Sequence, residues 1–145
     1  MYSQLKRICP FKVEEHNYLR GANGTFGGDI IRILESLPIA QKAKTLIHEW
    51  AHGLMHGDFA AKYDKQQMEL EAESLAFSVC HVLGLDASEY TFGYLAGWGD
   101  KDAIKMLKQL AVRIQKATHQ ILSNIETAIQ QKNAKKDLKF QQKVV

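Results

Sequence analysis

His48, Glu49 and His52, in the run His48-Glu49-Trp50-Ala51-His52, are residues whose types and spacing could do chemistry, and His56 follows four positions later. Positions four apart on a helix lie one above the other, so His48 and His52 can offer two imidazoles to one ion. Glu49 would sit beside them, within reach of a water on that ion. Zinc hydrolases use this arrangement. Two neutral histidines and a third protein ligand hold the metal, which lowers the pKa of its bound water toward about 7. The glutamate then takes the proton as the water attacks a carbonyl. The alternative is a surface helix that carries stray histidines. The surroundings argue against it, because Leu46, Ile47, Trp50, Ala51 and Leu54 make the helix apolar. Histidines on a buried face need partners, and a metal supplies one.

A third, acidic ligand is then expected downstream, and Glu69, Glu71 and Glu73 are the candidates. On a helical projection with Ala72 at zero, the apolar residues run from Val82 at about −80° round to Phe77 at about +140°. Glu69 at about +60° and Glu73 at about +100° fall inside that arc, and Glu71 at about −100° falls at its edge. Carboxylates inside a buried stripe need compensation, which metal ligation and a histidine N–H provide. Glu69 is therefore assigned as third ligand and Glu73 as its outer partner or alternate ligand; Glu71 reads as a solvated charge. His56 lies about 12 Å along the helix axis from His48, too far for one ion to be held by both. The spacing HExxHxxGxxH fails as well, with Met55 at the glycine position and Asp58 at the last. A helix-terminal or outer-partner role is expected for His56.

These residues need elements to position them. The glycine-rich segment 21–28 reads as turn material before a strand over Asp29–Leu34, and an earlier strand is expected around Ile8 to Val13. In zinc peptidases a strand before the metal helix can line the cleft and pair with an extended substrate. Helices are predicted over Ala40–Met55 and Lys65–Leu83, with a short helix or turn over Glu89–Trp98. A last helix runs from Asp100 to about Gln131. Its stripe of Ile104, Leu107, Ala111, Ile114, Thr118, Ile121, Ile125 and Ala128 faces either its own domain or a coiled-coil partner. Trp50, Cys80 and Trp98 read as core, and Tyr90 and Tyr94 as aromatic packing or as electrophiles beside a metal. The predicted architecture is α+β: a small N-terminal β-sheet, an active-site helix, a glutamate helix and a long C-terminal helix.

The bulk properties narrow the function classes. At 145 residues and 46% apolar, the chain has room for one domain with a sizeable core. It contains no run of 18 or more apolar residues, and the opening MYSQLKRICPFKVEEH has no apolar region like that of a secretory signal. Cys9 and Cys80 lack CxxC spacing, so a cytoplasmic protein with reduced thiols is expected. The net charge of +3 belongs to the end of the chain, where residues 131–145 hold five lysines and one aspartate. A domain over residues 1–131 with a basic, disordered tail over 132–145 is expected, and the tail could touch nucleic acid.

HEWAHGLMHGD followed by ELEAESLAFSVC resembles the ImmA/IrrE-type metallopeptidases. AQKAKTLIHEWAHGLMH, EAESLAFSVCHVLGLD and SEYTFGYLAGW, with a basic-apolar C-terminal helix, further resemble the zincin-like domain of ArdC/LtrC-type antirestriction proteins of plasmids and conjugative elements. This resemblance covers roughly residues 21–130 and implies a zinc-dependent peptidase domain acting on a protein or peptide. It makes His48 and His52 ligands and Glu49 the catalytic base. In that family a single-stranded-DNA-binding domain commonly precedes the zincin; about twenty residues stand there in this sequence. An inactive or partner-dependent, DNA-associated binding module is the alternative expectation.

Overall fold

The computed structural model describes residues 1–57, 64–88 and 100–143. Their order is α1 (Tyr2–Ile8), β1 (Lys12–His16), β2 (Gly24–Gly27), β3 (Ile30–Leu34), α2 (Ile39–Met55), α3 (Lys65–Val82) and α4 (Asp100–Lys143). The architecture is α+β, a three-stranded sheet with four helices among the described residues, compatible with a zincin-like domain. None of these helices is long and apolar enough to cross a membrane.

The sheet has the order β1-β3-β2, with β1 parallel and β2 antiparallel to β3. Burial alternates along β3: Ile31 and Ile33 are fully buried, whereas Ile30, Arg32 and Leu34 are partly exposed. That period of two turns one face onto the helices, and each buried isoleucine contributes roughly 1.5–3 kcal/mol. The glycine-rich segment is more than turn material, because it supplies strand β2. Gly28 and Asp29, with φ of 58° and 59°, form the two-residue turn that returns the chain along β3. Both positions need positive φ, which glycine adopts freely and aspartate tolerates. The first strand starts at Lys12 rather than near Ile8. Pro10 cannot donate to a ladder, and the residues before it form α1, whose Tyr2 and Leu5 are buried.

Helix α2 lies at the centre of the packing, in contact with α1, β2, β3, α3 and α4. Leu46, Ile47, Trp50 and Ala51 are its buried face. Helix α3 starts where Asp64 accepts a hydrogen bond from the Gln67 backbone N–H at 3.2 Å. It packs between α2 and α4, and Cys80 is a buried free thiol within the core. Glu89–Trp98, including Tyr90, Tyr94 and Trp98, lies outside the described residues, as does Asp58.

Helix α4 uses only part of the expected stripe. Leu110, Ala117, Thr118, Ile121 and Ile125 are buried, while Ile104 and Ala111 are exposed. A stripe repeating every 3.5 residues drifts by about 20° per heptad on a straight helix of 3.6, so burial slips from Ala111 to its neighbour Leu110. The helix also continues past Gln131 to Lys143, so the lysine-rich stretch expected to be disordered is helical as far as it is described. Helix propensity explains this, since its lysines, glutamines, alanine and leucine are good helix formers.

Candidate metal centre

The histidines stand on the last two turns of α2. His48 and His52 turn their Nε2 atoms toward each other at 3.1 Å. Glu69, on the second turn of α3, brings Oε2 to 3.4 Å from His48 Nε2 and 3.6 Å from His52 Nε2. Among the described residues these three form a group able to hold a metal, with all ligand atoms within 4.8 Å of one another. The donor set fits a small cation. Ligands about 2.0–2.2 Å from a tetrahedral zinc are spaced about 3.3–3.6 Å apart, close to the three distances here. Two imidazole lone pairs facing each other also need a cation or a proton between them.

The electrostatics are those of a tight acid–imidazole cluster. Burial pushes the His48 imidazole down, but its hydrogen bond to Glu69 and the charges of Glu49, Glu69 and Glu73 together lift its pKa above the ordinary value. The hydrogen bonds to His48 and then His52 hold the Glu69 carboxyl well below the usual carboxylate range. Burial pushes Glu49 up, against the opposing charges of His48 and His52. Of the two acids expected near the ion, Glu69 lies with the imidazoles, and Glu73 acts on His48 through its charge.

Strand β2 passes directly over Glu49. A Cβ on Gly24 would lie 2.5 Å from Thr45 Cγ2, 3.0 Å from Glu49 Cγ and 3.1 Å from Glu49 Oε1. Only a residue without a side chain lets the strand approach that closely. Phe11 and Phe26 meet edge-to-face with ring centroids 5.0 Å apart, against Gly53 on the turn of α2 that follows His52.

Glu71 corrects the sequence reading. It is not a solvated charge; it is fully buried. Its Oε2 lies 2.8 Å from His56 Nε2, and its Oε1 lies 3.1 Å from Arg113 Nη1, an ion pair not aligned as a hydrogen bond. Arg113 Nη2 also donates to the Met55 carbonyl at 3.4 Å, satisfying one of the free C=O groups at the end of α2. His56 Nδ1 in turn lies 3.2 Å from His52 Nδ1, which ties this pair to the candidate ligands. A signal for Glu71 exists in the sequence: three histidines in one row on a buried face call for more than one acidic partner. No comparable signal marks Arg113.

Residues 7–85, from the end of α1 through α3, match the family model described as Peptidase_M78, the IrrE N-terminal-like domain. The chain belongs to this family. Neither the curated proteins nor the solved structures give a match. Membership supports a metallopeptidase-like function, in agreement with the resemblance to ImmA/IrrE-type enzymes, and the matched span contains both helices that carry the candidate ligands. Helix α4, which supplies Arg113, lies beyond it.

Proposed function

We propose that the protein is a zinc-dependent metallopeptidase in which His48, His52 and Glu69 hold the ion and Glu49 is the general base. The observation that carries this reading is the triangle of Nε2, Nε2 and Oε2 atoms, with edges of 3.1, 3.4 and 3.6 Å, beside a buried glutamate. Zinc bound there would supply Lewis acidity, polarising a carbonyl and bringing the pKa of water toward about 7. The protein's part is positional and protonic. Burial raises the Glu49 pKa, which moves this carboxylate toward the proton affinity that a base needs near neutral pH. Strand β2, at the sheet edge among the described residues, can align an extended peptide beside Glu49 through backbone hydrogen bonds. Glu73, whose charge acts on His48, is assigned as outer partner or alternate ligand.

The blocks shared with ArdC/LtrC-type proteins suggest an antirestriction setting on a plasmid, conjugative element or phage-related locus, in the cytoplasm. Lys132, Lys135, Lys136 and Lys139 are exposed within an arc of about 100° on α4, which supports a salt-dependent contact with nucleic acid. The deciding experiment for the peptidase pairs metal analysis with a proteome-wide cleavage screen. About one equivalent of zinc is expected, lost in the His48→Ala/His52→Ala variant. Glu49→Gln is expected to keep zinc and lose proteolysis. Zinc persisting at full stoichiometry in the double variant overturns the ligand assignment; proteolysis at the unaltered rate in Glu49→Gln overturns the base.

A further inference from the structure

Glycine is unfavourable in a helix interior, yet Gly53 lies within α2, next to His52. Two aromatic rings account for it. A Cβ on Gly53 would lie 2.6 Å from Phe11 Cε2 and 2.7 Å from Phe26 Cε2. The rings meet edge-to-face above it, and both remain partly exposed at the margin of the core. We propose that Phe26, backed by Phe11, is a specificity-determining residue: it walls a subsite for a bulky apolar side chain of the substrate peptide, two residues from the one that pairs with Gly24. The proposal rests on the metallopeptidase reading above.

The position of this wall follows from strand and helix geometry. Side chains two apart on a strand share a face, so Gly24 and Phe26 both point at α2. Gly24 lies over Thr45 and Glu49, and Phe26 over Gly53, which form one row of positions four apart on that helix. The rows on either side of it differ. One holds Leu46 and Trp50, fully buried in the same core as Ile31 and Ile33 of β3. The other holds His48 and His52, about 100° round the helix. Since β3 pairs with one edge of β2, the edge left open among the described residues lies on the side of the histidine row.

An extended peptide pairing at that edge would set each inward side chain beside its β2 counterpart, with Cβ atoms about 4.5–5.5 Å apart. The residue opposite Gly24 is the one nearest Glu49, whose Cγ and Oε1 lie 3.0 and 3.1 Å from the Cβ position of Gly24. The bond attacked is therefore next to that residue. The residue opposite Phe26 is two positions away, with its side chain against an aromatic face. Leucine, methionine or phenylalanine gains there by burial, whereas aspartate or lysine gives up water without gaining a partner. Phe11 and the missing Gly53 side chain hold the Phe26 ring against α2, so the wall is formed before a peptide arrives.

Binding tests the subsite without catalysis. Short extended peptides of serine, threonine and valine, identical except for one leucine or alanine, are titrated against the full-length protein with a chelator present. The leucine peptide should bind about 10- to 100-fold more tightly. In Phe26→Ala this preference should disappear while the alanine peptide binds as before, and Phe26→Leu should restore most of it. A purely structural role would weaken both peptides alike. That result, a leucine preference unchanged in Phe26→Ala, or no preference in the unaltered protein overturns the proposal. If Phe26→Ala does not fold, Phe26→Val keeps a strand-forming side chain and should still reduce the preference. Cleavage then supplies the position. With zinc, cut sites should be enriched in leucine, methionine or phenylalanine at one position two residues from the residue beside the cut bond, and Phe26→Ala should flatten the enrichment at that position alone. Enrichment that survives Phe26→Ala overturns the subsite. Leucine preference in binding without any cleavage would instead remove the metallopeptidase reading and leave the subsite standing.

Discussion

Gly24→Ala should damage this protein far more than a small substitution on a sheet edge normally does. The added Cβ would lie 2.5 Å from Thr45 Cγ2, against an optimum carbon–carbon separation of about 3.5–4.0 Å. Thr45 is buried and branched on a central helix, so it has little freedom to yield. The strand must then move outward by about 1 Å, or Glu49, whose Cγ and Oε1 lie 3.0 and 3.1 Å from the same point, must be displaced. Overpacking of this kind costs about 1–3 kcal/mol, and a misplacement of about 1 Å beside the reacting groups can cost about 100-fold in rate. Gly27→Ala on the same strand is the control, because a Cβ there meets nothing within 4 Å. Urea unfolding should separate the two by at least about 1 kcal/mol, well beyond the usual ±0.5 kcal/mol of surface changes. Thr45→Ser removes the methyl group that makes the closest contact, so combining it with Gly24→Ala should recover part of the stability. Equal stability of Gly24→Ala and Gly27→Ala would refute the close approach of β2 to Glu49.

Three further outcomes test other parts of the structure. Glu69→Gln should weaken zinc binding more than Glu73→Gln in a chelator competition, with Glu73→Gln still impaired about 10- to 100-fold; the reverse ranking exchanges the two roles. Burial, and then the charge and hydrogen bond of Glu15, push the Tyr2 phenol up to about 12. Its folded pKa thus exceeds the unfolded value near 10, so this contribution to stability is complete below about pH 10 and is lost as pH rises toward 12. Tyr2→Phe should flatten the fall in melting temperature across that window, and an unchanged fall would count against it. Deleting residues 132–145 should leave the melting temperature nearly unchanged and reduce the salt dependence of nucleic-acid binding by a slope of about 3 to 4 for the four exposed lysines; a large fall in melting temperature would show a packed segment.

Much of the scaffold was legible because its signals are local. The helical spacing of α2 and α3 and the β-branched run of β3 each depend on neighbours a few residues away. Strand β2 was not legible. Gly24-Thr25-Phe26-Gly27 has the composition of a turn and becomes a strand because β3 offers it a ladder and Gly24, without a side chain, lets it lie against α2. The pattern that suggests a loop is the one that lets a strand lie against Glu49. Helix α1 is too short to show a period, and its place comes from burying Tyr2 and Leu5 against later elements.

Glu71 shows where helical projection stops being sufficient. A projection assumes one buried arc, and Val82 at about −80° and Phe77 at about +140° set its two limits. Both are exposed, at 38% and 64%, while Glu71, at the arc's edge, is fully buried. The cause is that α3 is packed on two sides: Glu69 meets His48 and His52 of α2, and Glu71 meets His56 and Arg113 where α2 and α4 converge. Its second partner, Arg113, is more than forty positions downstream, on a helix whose phase is set by its own contacts. The three acids alternate along the chain between two environments, because successive odd positions on a helix are about 200° apart. Two of them can therefore face a metal centre only if the middle one faces away, and a helix in the interior must provide that middle carboxylate with its own cation.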